Sequence, residues 1–186
     1  IDPDELETER GVILEELAMD ADDRVCLVTV DRYTIGTSVE VPAGGTDGED
    51  PRAANLVKIS GNFLIASVIE SLGEAMALVS KAGVDKQQYL ELLTSTLFDA
   101  PVYRTYGGLL AREEFSPAGF AATLGLKDVK LALGAGEELE VPLPVASLLR
   151  DRFLTLLATG GSELDWSAVG ALSAWEAGAE HPAQNV

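Results

Sequence analysis

Lys58 and Asn62 are the residues whose types and spacing could perform acid–base chemistry. They stand four positions apart, so in a helix they lie on one face, one turn from each other. Lys58 precedes an apolar run at 59–69, and a lysine held against apolar surroundings releases its proton more readily and can serve as a general acid or base. A solvated lysine beside an incidental asparagine is the alternative, and it is the commoner situation on a helix. These two residues alone leave both interpretations open.

Composition excludes several other kinds of chemistry. A single cysteine, Cys26, and a single histidine, His181, cannot build a disulfide framework, a thiolate metal site or a two-histidine zinc centre, so we predict no metal. The 186 residues include 31 acidic and 13 basic side chains, a net charge of −18 that repels phosphate backbones and argues against a nucleic-acid partner.

We also expect a cytoplasmic protein without a membrane partner. The charge-free apolar stretch at 59–69 is far shorter than the roughly 20 residues that a membrane span needs. No basic segment followed by an apolar one opens the chain, so nothing marks it for secretion.

A turn-rich acidic linker near 44–50 divides the chain, so we place an acidic arm at 1–47, a helical domain at 48–178 and a tail at 179–186. The arm is predicted to contain a helix at 4–19 and a hairpin of strands at 25–30 and 34–41. The domain is predicted to be mainly α, with a long central helix at 52–82. Further helices are predicted at 86–97, 102–112, 123–139, 145–158 and 166–177.

Four motifs of this domain follow one another in an order that resembles the C-terminal helical domain of the β-hydroxyacid dehydrogenases. That family includes 3-hydroxyisobutyrate dehydrogenases, glyoxylate/succinic semialdehyde reductases and imine reductases. The motifs are NLVKISGNF at 55–63, EAMALVSKAGVD at 74–85, FAATLGLKDVKLA at 120–132 and VPLP at 141–144. The resemblance implies a multi-helix fold like the C-terminal domain of 6-phosphogluconate dehydrogenase.

The resemblance also implies a role for five side chains. Lys58 would be the catalytic acid/base, exchanging a proton with a substrate hydroxyl or carbonyl oxygen while a hydride passes to or from NAD or NADP. Asn62 would help hold that oxygen, Phe120 and Asp128 would border the substrate, and Lys127 would lie near the nicotinamide. Without the resemblance, Phe120 is more simply a core residue and Lys127–Asp128 part of a solvated helix face.

The departures from the family pattern concern the cofactor. Arg52 and Ala54 stand where the family usually has glycines, and Gly61 stands where it often has a second asparagine. No G-x-G-x-x-G follows a predicted strand, so the pyrophosphate has no glycine loop to bind. We therefore expect the C-terminal domain of an NAD(P)-dependent oxidoreductase without its Rossmann half, unable to bind the nucleotide well or to react alone, and homodimeric through its helices. A non-catalytic helical dimerisation or interaction module is the alternative.

The first segment resembles a different family. ETERGVILEEL at 7–17 is similar to a helix of the pitrilysin-like (M16) zinc peptidases, in which the residue matching Glu16 is the distal zinc ligand. The chain has no H-x-x-E-H motif and its single histidine is His181, so a zinc site cannot be completed. A zinc-peptidase fragment is nevertheless kept as the second alternative. The two resemblances together suggest a natural fusion, a recombined fragment or an engineered chimera.

Overall fold

The computed structural model describes the backbone of residues 14–19, 25–30 and 51–179, with side chains from residue 55 onward. The chain divides into two compact units, Ile1–Gly61 and Asn62–Val186. In the first unit, β1 (Leu14–Met19) pairs antiparallel with β2 (Val25–Val30), and Leu14 lies opposite Val30.

Strand β1 corrects one prediction. Residues 14–19 were expected to end a helix at 4–19, yet they form a strand. The segment 25–30 is rich in β-branched residues and is stable as a strand only when another strand satisfies its backbone, so this pairing overrides the helical preference of LEELAM. The rest of the predicted helix, the predicted strand 34–41, the linker and most of the tail lie outside the described residues.

The part of the chain at 51–179 confirms the mainly α class and contains six α-helices. Three of them begin at a proline, a residue that suits the first helical turn. The helices are α1 (Pro51–Lys81), α2 (Lys86–Thr94), α3 (Pro101–Arg112), α4 (Ala122–Glu138), α5 (Pro144–Ala158) and α6 (Leu172–Glu176). Short 3-10 segments occupy Gly161–Glu163 and Trp166–Ala171.

Two helix ends differ from the prediction. Helix α2 stops at Thr94 rather than at 97, because the hydroxyls of Thr94, Ser95 and Thr96 donate to carbonyls of the preceding turn and compete with further helix. The last helix begins as a 3-10 segment at Trp166–Ala171, whose six residues are all buried. This tightly wound segment packs closely against α1. A Cβ placed on Gly73 of α1 would lie only 2.0 Å from the carbonyl oxygen of Gly170 in the segment.

Helix α1 supplies one side of the core of the second unit. Its buried residues include Ile69 and Met76, and the largest fully buried side chains around them include Trp166, Tyr106 and Phe153. The apolar residues of the run 59–69 point nearly all round the helix, which predicts burial on most sides. The structure corrects this prediction, because only Ile59, Asn62, Ala66 and Ile69 of this run are buried and Leu64 is 62% exposed. The described helices therefore leave part of the apolar surface of α1 exposed.

The segment Asn55–Lys81 of α1 is long and apolar enough to cross a membrane by length and composition alone. This is weak evidence, because the core helix of a soluble protein passes the same test. The polar side chains of Asn62 and Glu70 on this helix are buried against partners from other helices.

Candidate active site

Helix α1 carries both residues with which the sequence analysis began. Asn62 is only 4% exposed and lies on the same face as Ala66 and Ile69, since positions i, i+4 and i+7 share one side of a helix. Lys58 is half-buried and lies one turn earlier on the same helix. The start of this face is therefore polar and its continuation is apolar.

Asn62 is fixed by a residue distant in sequence. Its side-chain Nδ2 donates to Oδ2 of Asp128 on α4, across 2.7 Å and 66 residues of sequence. A carboxylate can only accept, so the contact determines which way the amide points. The second Nδ2 hydrogen remains to be donated, and the buried Oδ1 has no hydrogen-bond partner within the part of the chain that the structure describes.

The structure brings Asn62 and Asp128 together, as the resemblance implies. Lys58 belongs to the first compact unit and Asp128 to the second, so a common cleft for Lys58 and Asp128 stays a prediction. Lys127 precedes Asp128 on α4, and consecutive helical side chains diverge by about 100° around the axis. Lys127 is exposed and faces a different direction from Asp128.

Lys127 lies on an open face of α4. Thr123, Leu126, Lys127, Lys130 and Leu131 share this face, so it combines two cations with two leucines. Lysine side chains suit the anionic phosphates of a nicotinamide nucleotide, and leucine side chains suit the flat face of a ring. The described residues include no glycine-rich turn of the kind that holds a pyrophosphate, so the fit concerns one end of such a cofactor.

Phe120 combines a packing role with its place next to α4. Its half-buried ring meets the ring of Trp166 edge to face, with centroids 4.9 Å apart. Its backbone N–H donates to Asp165. Core packing, the simpler interpretation from sequence, is thus present, and contact with a substrate remains a prediction.

Sequence reasoning missed a buried ion-pair cluster. Glu70 of α1 is 4% exposed and accepts at 2.5 Å from Nε of Arg152 on α5, which also donates to Glu176 and Ser173. Burial is the largest influence on the Glu70 carboxyl and raises its pKa from 4.5 to about 6, against the opposing influence of Arg152. The available signal was a lone carboxylate within the apolar run VIESL.

Arg152 is the central member of this cluster. Burial lowers its pKa, but hydrogen bonds and charge from Glu176 and Glu70 outweigh burial and raise the pKa above the ordinary value. The guanidinium therefore stays charged and links α5 to both α1 and α6. Among the described residues there is no group of three or more histidine, cysteine or carboxylate side chains that could hold a metal ion.

Comparison with known proteins gives a consistent result for the helical part. Residues 53–172 match the family model described as the NAD-binding domain of NADP-dependent 3-hydroxyisobutyrate dehydrogenase. An uncharacterized oxidoreductase of Bacillus subtilis is 43% identical over 122 residues, which are 66% of this chain and 42% of that protein. The 2-hydroxy-3-oxopropionate reductase of Escherichia coli is 31% identical over 135 residues, 73% of this chain and 44% of that protein.

Solved structures agree with these matches. A 3-hydroxyisobutyrate dehydrogenase from Salmonella typhimurium superposes with a TM-score of 0.58 at 26% identity, over 62% of this chain and 40% of that one. The 3-hydroxyisobutyrate dehydrogenase of Mycobacterium tuberculosis, crystallised with L-serine, gives a TM-score of 0.54 at 25% identity, over 62% of this chain and 41% of that one.

The chain spans less than half the length of each of these four proteins. None of them is a zinc peptidase, so the resemblance of the first segment to that class is unsupported. The family resemblance supports NAD or NADP as the cofactor. The matched domain, the relatives and the shared helical fold together show that this chain belongs to the 3-hydroxyisobutyrate dehydrogenase family, a branch of the β-hydroxyacid dehydrogenases.

Proposed function

We propose that this chain forms the helical, substrate-binding part of an NAD(P)-dependent oxidoreductase that acts on a small hydroxy acid, carbonyl or imine. The observation that carries the proposal is the Asn62 side chain. It is buried, and its direction is set by Asp128. Among the described residues its Oδ1 has no hydrogen-bond partner and its Nδ2 donates only to Asp128, and Asn62 lies one turn along α1 from Lys58. The names of the relatives support the substrate class, since they include reductases of 2-hydroxy-3-oxopropionate and of glyoxylate or succinic semialdehyde.

In the proposed reaction the protein residues manage a proton and an oxygen atom. The nicotinamide, when bound, supplies or removes a hydride at the substrate carbon. As the carbonyl oxygen gains negative charge, the Lys58 ammonium donates a proton to it, and in the opposite direction the neutral amine accepts that proton. Asn62 orients the oxygen through its second side-chain N–H, and Asp128 keeps the amide from rotating.

We propose that a nucleotide-binding domain completes this site. The face of α4 at Lys127 and Lys130 would border the nicotinamide end of the cofactor, while the pyrophosphate needs a glycine-rich turn from the other domain. We further propose a cytoplasmic homodimer that contacts its second copy through the long helix, where Leu64 presents apolar surface to solvent.

Substitution of Lys58 tests the function. The chain is combined with a separately produced nucleotide-binding domain of the family, and oxidation of NADH or NADPH is followed with glyoxylate, succinic semialdehyde or 2-hydroxy-3-oxopropionate. Lys58→Met is expected to lower kcat by at least about 100-fold, the usual contribution of a positioned acid. Lys58→Arg is expected to fail similarly, because a guanidinium keeps its proton near neutral pH.

Lys81→Met is the matched control. Lys81 lies on the same helix, about 35 Å further along at 1.5 Å per residue. It should leave the rate unchanged. Full activity in Lys58→Met, with a circular dichroism spectrum like that of the unmodified chain, would show that Lys58 is not the acid.

A further inference from the structure

Asp165 is a buried carboxylate that accepts four hydrogen bonds from the described residues, all of them from uncharged donors. It is 3% exposed. Its Oδ1 accepts from the backbone N–H and the hydroxyl of Ser167, at 2.9 and 2.5 Å. Its Oδ2 accepts from the backbone N–H groups of Gly119 and Phe120, both at 3.0 Å. One oxygen therefore caps the 3-10 segment that follows, and the other holds a loop 45 residues earlier.

The loop that Asp165 holds leads directly into α4. Ala121 occupies the N-cap position of α4, and it has no side chain that could accept from the free N–H groups of the first turn. The start of α4 is instead held from outside, because Ala122 N–H donates to the Leu164 carbonyl at 2.9 Å and Trp166 N–H donates to the Phe120 carbonyl at 2.8 Å.

The first turn of α4 also packs tightly on the segment that Asp165 begins. A Cβ on Gly125 would lie 2.9 Å from the Phe153 ring and 3.1 Å from Cβ of Trp166, so a larger side chain at this position would crowd both neighbours. Asp128 follows Gly125 by three residues, less than one further turn along α4. A shift or rotation at the start of the helix would therefore move the carboxylate that holds Asn62.

We propose that Asp165 is a positioning residue that fixes the start of α4 and thereby the contact between Asn62 and Asp128. Asp165 does not touch the reacting atoms, and it acts through the loop at Gly119 and Phe120. Its relevance to catalysis rests on the proposed function, because that function assigns the substrate oxygen to Asn62. Its effect on the Asn62 amide does not depend on any activity.

The side-chain amide of Asn62 gives a direct measurement. The chain contains only three asparagines and three glutamines, so a nitrogen–proton correlation spectrum shows six side-chain NH2 pairs. Asn62→Asp identifies the pair of interest by removing it. A hydrogen donated to a carboxylate is shifted downfield and exchanges slowly with water, and both properties report the contact with Asp128.

Two substitutions separate positioning from simple stabilisation. Asp165→Ser keeps an oxygen that can cap the 3-10 segment but is too short to reach the loop at 119–120. Ser167→Ala removes one bond to Asp165 and leaves the loop bonds in place. In Asp165→Ser we expect the Asn62 amide to lose its downfield shift and to exchange with water about tenfold faster. This is the size of effect expected when a charge-assisted hydrogen bond is lost. In Ser167→Ala the shift and the exchange rate of the Asn62 amide should stay unchanged. Urea is used to bring the variants to the same free energy of unfolding before their exchange rates are compared.

Asp165→Asn is a second variant, which keeps the test possible if Asp165→Ser does not fold. Its single carbonyl oxygen must serve donors that two carboxylate oxygens served, so an intermediate change at Asn62 is expected. An unchanged Asn62 amide in the folded Asp165 variants would overturn the proposal, as would an equal change in Ser167→Ala. Failure of the Lys58→Met test would instead remove the proposed function and leave this measurement standing.

Discussion

Replacement of Glu70 by glutamine is expected to change the pH dependence of stability. The carboxyl of Glu70 is buried, Oε1 accepts from Arg152, and Oε2 has no hydrogen-bond partner among the described residues. Burial raises its pKa from 4.5 to about 6, Arg152 opposes the rise, and the charges of Glu74 and Glu176 add to it. The folded protein therefore binds this proton more tightly than the unfolded chain does.

The sign and size of the effect follow from that difference. Because the folded-state pKa lies above the unfolded value, the stability that the protonated carboxyl contributes is complete below about pH 4.5 and is lost as the pH rises through about 6. The difference between these two pKa values corresponds to about 2 kcal/mol of unfolding free energy. Glutamine has nearly the same shape as the protonated acid and does not titrate, so the variant lacks this loss.

Urea unfolding between pH 4.5 and 7.5 measures the effect, with fluorescence of Trp166 and Trp175 as the probe. The other carboxyls titrate in both proteins, so their contributions cancel when the free energy of unfolding of one protein is subtracted from that of the other. As the pH rises across this range, the free energy of unfolding of Glu70→Gln should increase by about 2 kcal/mol relative to that of the unmodified chain. Glu138→Gln, at an exposed position on α4, is the control. Its free energy of unfolding, relative to that of the unmodified chain, should not change with pH. A flat difference for Glu70→Gln, or one of opposite sign, would refute the reasoning.

Two further predictions concern packing and assembly. Gly73→Ala should destabilise the chain by about 3 kcal/mol in thermal or urea unfolding, because its Cβ would meet the Gly170 carbonyl oxygen at 2.0 Å. Gly134→Ala, on a helix position with open space around it, should instead stabilise by about 0.5 kcal/mol or more, and equal effects at the two glycines would contradict the packing described. Leu64→Glu should convert the proposed homodimer to a monomer in light scattering, whereas Leu97→Glu, in the turn that follows α2 and 94% exposed, should not. A monomeric unmodified chain at micromolar concentration would end the dimer proposal.

The sequence alone determined most of the helical architecture. The bounds of α1, α3, α4 and α5 lie within one residue of the prediction, because apolar periodicity and local stop signals act over a few residues. Gly83 ends α1 with a positive φ of 87°, and Asp85 caps α2 by accepting from the Gln88 N–H, both as the residue types indicate. The position of Asn62 on the face of α1 that continues into the core follows from the same periodicity.

Tertiary structure decided what each polar side chain meets. Nothing in the local sequence of Asn62 indicates that its amide donates to a carboxylate 66 residues away, and the proximity was implied only by family resemblance. Asp165 directly precedes the predicted helix 166–177, and aspartate in that position indicates an N-cap. Its two bonds to the loop at 119–120 have no such signal in the sequence. The same holds for β1, whose LEELAM sequence favours a helix until β2 offers a backbone partner. Periodicity and capping are local and can be read along the chain, whereas a buried polar atom must find its partner wherever the packed helices bring one.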